Sequence, residues 1–130
     1  MNDRVTTAQV EALYDYQAVR IYWSRQVDVD DMRLAFSRVA AILDTAQQPL
    51  HLVMDTQNNQ SIPLMPLIQG LLNGPLTHPR LGTCLIVGLS GQARILAKTL
   101  GEMARDADVQ WFANDEIAMS HLRGLTHPVD

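Results

Sequence analysis

The residue types able to do chemistry are few and scattered along the chain. His51, His78, His121 and His127 never stand at i, i+4, and Cys84 has no second cysteine, so the ligand spacing of a zinc site is missing. Cys84 is expected to pack as a small apolar group, and His121 to lie half-buried and hydrogen-bonded beside Ile117 and Leu122. Asp28, Asp30 and Asp31 suggest a calcium loop, but neither the glycine nor the distal glutamate of that loop follows. Helix capping accounts for them. No metal or cofactor is expected. No nucleophile, base or oxyanion donor can be assembled from spacing, so the chain is read as non-enzymatic, with an enzyme of unrecognised class ranked third among the functions.

One stretch has the form of an anion site. Gly88-Leu89-Ser90-Gly91-Gln92-Ala93-Arg94 joins a strand to a helix N-terminus, where backbone N–H groups can hold an anion. It lacks the lysine and the spacing of a phosphate-binding loop. A tight strand-to-helix turn capped by Ser90 explains the same residues without a ligand.

These residues have to be positioned by elements that the apolar pattern lays out. Val19, Ile21 and Trp23 alternate with Arg20, Tyr22 and Ser24, the period of a half-buried strand. Ala8 to Tyr14 is its expected antiparallel partner, reached through Asp15-Tyr16-Gln17 with no Asn-Gly or Asp-Gly turn. Met32, Phe36, Val39 and Leu43 predict a helix from Asp31 to Ala46, and Leu50 to Met54 a strand covered on both faces. A second helix ends near Asn73-Gly74-Pro75. It starts either with Pro63 under a Ser61 cap or with Pro66 at its first position. Cys84 to Val87 is the next buried strand. Ala93, Leu96, Ala97, Leu100 and Met103 form the inward stripe of the third helix, with Arg94, Lys98, Glu102 and Arg105 outward. Val109 to Phe112 is the last strand, and Asn114 caps a final helix with Ile117, Ala118, Leu122 and Leu125 inward.

The order β-β-α-β-α-β-α-β-α, without a repeat or a linker, predicts an α/β fold: one domain over residues 1–130 with a mixed, mainly parallel sheet of about five strands and about four helices. A length of 130 residues with 47% apolar content suits a single core without disulfides. A net charge of -4 offers no footprint for nucleic acid or an anionic membrane. The apolar run Ile62 to Leu72 is interrupted by prolines and falls short of the roughly 20 residues of a membrane span. Met1-Asn2-Asp3-Arg4 lacks the features of a signal peptide, and a cytoplasmic location is expected.

Two surfaces follow from the pattern. In the second helix Leu64, Met65, Leu67, Ile68, Leu71 and Leu72 encircle the axis. Such a helix is either buried on two sides or covered by another chain. A homodimer through Leu67, Ile68, Leu71 and Leu72 is the expectation. The loops at the carboxyl ends of parallel strands gather where open α/β sheets make their contacts. Asp55, Gln57, Asn58, Asn59, Ser61, Ser90 and Asn114 are the expected recognition residues there.

The element order is similar to that of STAS domains, and the texture resembles their SpoIIAA-like relatives, the anti-sigma-factor-antagonist-like modules. The residues that carry this likeness are a strand ending near Asp55, Leu76-Thr77-His78-Pro79, Cys84-Leu85-Ile86-Val87-Gly88, and Val109-Gln110-Trp111-Phe112 before Asp115-Glu116-Ile117-Ala118. The resemblance implies a non-catalytic regulatory module that binds a protein partner. It also implies a phosphoacceptor serine at the start of the helix after the central strand, where Ser61 lies. The family's Asp-Ser-Ser-Gly-like arrangement is absent, since Gln60 precedes Ser61 and Ile62-Pro63 follows it. Helix capping is the alternative role for Ser61. The alternative function is a carrier of a small apolar or lipid-like ligand against the Leu- and Met-rich second helix.

Overall fold

Residues 8–23, 28–56, 64–88, 91–104 and 107–126 are described by the computed structural model. Alternation decides the first strands. In β2 (Ala18–Trp23) Val19, Ile21 and Trp23 face one side and are buried, while Arg20 and Tyr22 face the other. β1 (Ala8–Leu13) runs antiparallel beside it, with Val10 opposite Ile21 and Ala12 opposite Val19. The reversal is made by a 3-10 turn over Tyr14–Tyr16 and by Gln17, whose φ of 52° is the one positive value at a described non-glycine residue. That conformation costs an L-residue roughly 1–2 kcal/mol. Gln17 is held there by its carbonyl, which accepts from the His51 backbone N–H at 2.8 Å.

Helix α1 (Val29–Asp44) begins ahead of the expected Asp31 because Asp28 is the cap. Asp28 Oδ1 accepts from the Asp31 N–H at 2.8 Å, and Asp31 Oδ2 accepts from the Asp28 N–H at 3.3 Å. Caps of this kind contribute about 1 kcal/mol. Met32, Ala35, Phe36, Val39 and Leu43 form the buried stripe.

β3 (Leu50–Asp55) lies parallel to β2 and is buried on both faces. Helix α2 (Leu64–Leu72) places Pro66 within its first turn, a position between the two expected starts, where a missing N–H removes no helical bond. A short 3-10 turn (Pro75–Thr77) follows. His78 Nδ1 accepts from the Arg80 N–H, so Nε2 donates to Asp44 Oδ1 at 2.7 Å and ties this turn to the end of α1. The chain continues through β4 (Leu81–Val87), α3 (Gly91–Met103), β5 (Asp108–Phe112) and α4 (Asp115–Thr126).

The sheet order is β1-β2-β3-β4-β5, parallel at every pair except β1 with β2. The expected α/β architecture and the parallel pairing of β3 with β4 are observed. α1, α2 and α3 cover one face, packing on Val19, Ile21, Trp23, Leu52, Met54 and Ile86. α4 covers the other through Ala118 and Leu122 on Ala18, Val53, Leu85 and Val87. No helix among the described residues is long and apolar enough to cross a membrane.

Three readings of apolar faces are corrected. α2 is the middle helix of its layer and touches both α1 and α3. Leu67, Ile68 and Leu71 are buried inside the chain and Leu72 is half-buried, so the four residues expected at a dimer face fill the chain's own core. Met65 is exposed, at 61%. Met103, expected inward on α3, is exposed, as are Ile117 and Leu125 on α4, whose contact with the sheet is narrower than its apolar content suggests.

Candidate functional site

The parallel strands end together at Trp23, Asp55, Val87 and Phe112. On the face covered by α4, Arg20 projects from β2 between Ala18 and Tyr22. Its Nη2 lies 2.9 Å from Asp55 Oδ2, in a hydrogen bond, and 2.6 Å from Asp115 Oδ1, in a charge contact. Its guanidinium carbon also lies 4.2 Å from the centre of the Tyr22 ring. Burial opposes the charge on Arg20, but the Asp55 hydrogen bond and the Asp115 carboxylate outweigh it and hold its pKa above the ordinary value. Burial likewise pushes the Tyr22 phenol up, against the pull of Arg20. The guanidinium therefore acts as a fixed cation that locks the head of α4 to the ends of β2 and β3.

Beside it the edge is closed by backbone. Thr56 Oγ1 donates to the Val87 carbonyl at 2.7 Å, and the Gly88 N–H donates to the Phe112 carbonyl at 3.0 Å. A Cβ at Gly88 would collide with Thr56 Oγ1 and stand 3.1 Å from Ala93 Cβ, so the start of α3 demands glycine. Trp111 Nε1 donates to the Gly88 carbonyl at 2.8 Å. The exposed Arg94 lays its guanidinium over the Trp111 ring, 5.0 Å from its centre. Asn114 Oδ1 accepts from the Ile117 N–H at 2.9 Å and caps α4, as expected.

Of the expected recognition residues, Asp55 and Asn114 come together at this edge. Asp55 is corrected from an exposed loop residue to a buried strand end, 4% exposed, because Arg20 draws its carboxylate inward. Gln57, Asn58, Asn59, Ser61 and Ser90 lie outside the described residues. Arg20 and Trp111 do not stand out in the sequence for this edge, whereas Arg94 ends the Gly88–Arg94 stretch read as having the form of an anion site.

A second polar group lies on the same face. His51 Nδ1 accepts from the Thr83 N–H at 2.9 Å, which places the ring proton on Nε2. A Cβ at Gly82 would stand 2.6 Å from that nitrogen. Burial lowers the His51 pKa, the nearby His121 adds to the shift, and Asp108 opposes it. His121 packs against Phe112 with ring centres 5.1 Å apart, and its buried Nε2 has no hydrogen-bond partner among the described residues. Cys84 is fully buried, and its thiol is pushed up to about 12 by burial, with Asp108 adding to the effect. No group of three or more potential metal ligands occurs among the described residues.

On the opposite face, between α1 and α2, is a groove of about 230 Å³. The exposed Val29 and the half-buried Pro66 line it over the buried Met32 and Phe36, and the exposed Arg33, Gln69 and Asn73 are its polar residues. Trp23 lies behind it, meeting Phe36 edge to face at 5.8 Å between ring centres.

Compared with known proteins, the chain matches no family model, no curated protein and no solved structure.

Proposed function

We propose that the chain is a non-catalytic regulatory module of the STAS-like kind that binds a protein partner at the carboxyl edge of its sheet. The observation that carries this reading is Arg94 laid over Trp111, at the point where β4, α3 and β5 meet. Arginine and tryptophan are the residue types that most often dominate interface energies. Here the tryptophan is anchored to the Gly88 carbonyl and the arginine is exposed. An aromatic ring already hydrogen-bonded and a guanidinium already stacked lose little freedom on binding, which favours affinity. The guanidinium suits a carboxylate on the partner. The hairpin-plus-parallel order of the strands also fits the resemblance. Within this reading Ser61 is the proposed phosphoacceptor, acting by added negative charge.

The test is capture of partners from native extract, followed by titration of each purified partner against variants. Arg94→Glu is expected to weaken binding by tenfold or more, the order of effect of a charge-reversed interface arginine. Arg38→Glu on the exposed side of α1 should leave it unchanged. Partners that bind both variants with the affinity of the natural chain would overturn the assignment to this edge.

A further inference from the structure

We infer that the outer edge of β5 is the contact surface for a second copy of this chain, paired antiparallel about a two-fold axis at Gln110. β5 has β4 on one side and no strand on the other among the described residues. The bond from the Gly88 N–H to the Phe112 carbonyl, with the unbroken register of β4 and β5, fixes which backbone groups point inward. Asp108, Gln110 and Phe112 turn theirs to β4, so Val109 and Trp111 turn their N–H and C=O outward. Open edges of this kind are commonly blunted by lysine, proline or a bulge. β5 has none of these, and its one charge is Asp108 at its first position.

The edge is complementary to itself. With Gln110 on the axis, Val109 of each copy stands opposite Trp111 of the other, and every outward N–H of the two strands meets an outward carbonyl. Both residues pack on the three-helix core and are half-buried, so the pairing covers apolar surface that a single chain leaves partly wet. The two Gln110 amides meet at the axis. Each donates from Nε2 to its own Asp108 at 3.0 Å and keeps Oε1 to accept the second N–H of the other. Charge follows the same symmetry. α3 joins parallel strands and so runs opposite to β5, which sets the exposed Arg94 at the carboxyl end of the edge and the exposed Glu102 and Asp108 at the amino end. A two-fold brings the basic end of each copy beside the acidic end of the other. Lys98 lies between, and Glu102 four residues on offsets its charge within the helix. Gly101, seven residues after Arg94 on the same side of α3, is exposed, and a Cβ there would meet nothing within 4 Å. The missing side chain lets a second α3 come close across the axis. The inference shares Arg94 and Trp111 with the carboxyl-edge reading but does not depend on a regulatory role.

The test is sedimentation equilibrium of the full chain over a concentration series, expected to pass from the monomer mass to twice that mass with a midpoint on the order of 10 μM or below. Gln110→Lys keeps a partner for Asp108 within the chain but sets like charges directly opposite across the axis, and should weaken the dimer at least tenfold. Gln110→Cys reads the register. Facing residues of a non-hydrogen-bonded antiparallel pair have Cα atoms about 4.5 Å apart, within disulfide range, so mild oxidation should give a covalent dimer. The buried Cys84 does not compete. Arg38→Cys, on the exposed side of α1, should cross-link far more slowly. Circular dichroism checks each fold, and Gln110→Cys with sedimentation carries the test if Gln110→Lys unfolds. A chain that stays monomeric at millimolar concentration overturns the inference, whatever Arg94→Glu does to a captured partner. A dimer that persists unweakened in Gln110→Lys, or gives no cross-link in Gln110→Cys, places the contact elsewhere and overturns it too. A dimer with both expected responses supports it even where no captured partner depends on Arg94.

Discussion

Replacing Arg20 by methionine should be among the most destabilising single changes at the sheet edge. The Arg20 side chain is 11% exposed and that of Asp55 5%, so the change leaves a carboxylate in a site that water barely reaches. Removing one partner of a buried ion pair costs about 3–5 kcal/mol. Asp115 is 35% exposed and regains water when the arginine is lost, so its share is small. Loss of the contact with Tyr22 adds about 0.5–1 kcal/mol. A total of about 3.5–6 kcal/mol is expected, which at an m-value of about 2 kcal/mol/M moves the urea midpoint down by about 2–3 M. Asp55→Leu alone should cost less, because Arg20 keeps Asp115. The double variant Arg20→Met, Asp55→Leu removes both charges and should recover at least about 2 kcal/mol relative to the sum of the singles. Urea unfolding of the four proteins closes the cycle. A loss below about 1 kcal/mol for Arg20→Met, or simple additivity in the double variant, would show that the guanidinium is not what holds this edge together.

The second polar group predicts a pH dependence. His51 has a folded pKa below 6.5, so the unfolded chain binds more protons than the folded one as pH falls past 6.5, and stability drops on acidification. His121 and Asp108 face it and modify the shift, and His51→Gln should flatten the slope of stability between pH 7 and 5 relative to the natural chain, read by denaturant midpoints at each pH. An unchanged slope would assign the effect to other groups. Cys84 should resist a thiol reagent in the folded chain and react once urea unfolds it, because burial pushes its pKa from 9.0 to about 12. Rapid stoichiometric labelling under native conditions would contradict the burial of β4.

Which parts of the fold were legible depended on whether a residue's neighbours could be inferred from its own element. Val19, Ile21 and Trp23 needed only the period of β2, and Asp28 needed only the backbone N–H groups ahead of it. Both readings hold. The circumference of α2 did not reveal its surroundings, because a helix flanked on both sides within a layer and a helix awaiting another chain carry the same apolar residues. Only the sheet order puts α1 and α3 on its flanks. Arg20 was hidden for the converse reason. At an outward position of β2 it reads as solvated, and α4, distant in sequence, brings Asp115 to cover it. Arg94 faces outward on α3 as expected, but its meeting with Trp111 depends on the pairing of β4 with β5.

The two faces of the sheet give the edge and the groove different mechanical settings. The groove lies in the three-helix face, whose core includes Trp23, Met32, Phe36, Leu67 and Leu71, and such interiors resist displacement because every side chain is held by several others. The edge is shared with α4, which is anchored by the small side chain of Ala118, by Leu122, and by two contacts of charge at either end, Asp115 with Arg20 and Arg123 with Tyr16. Less buried apolar surface means a lower free energy of local opening. A partner that engages Arg94 and Trp111 would sit beside α4, and Asn114 and Asp115 belong to both. The fold thus joins the edge to α4, which meets the sheet through few apolar side chains, and sets the groove against the larger core of the other face.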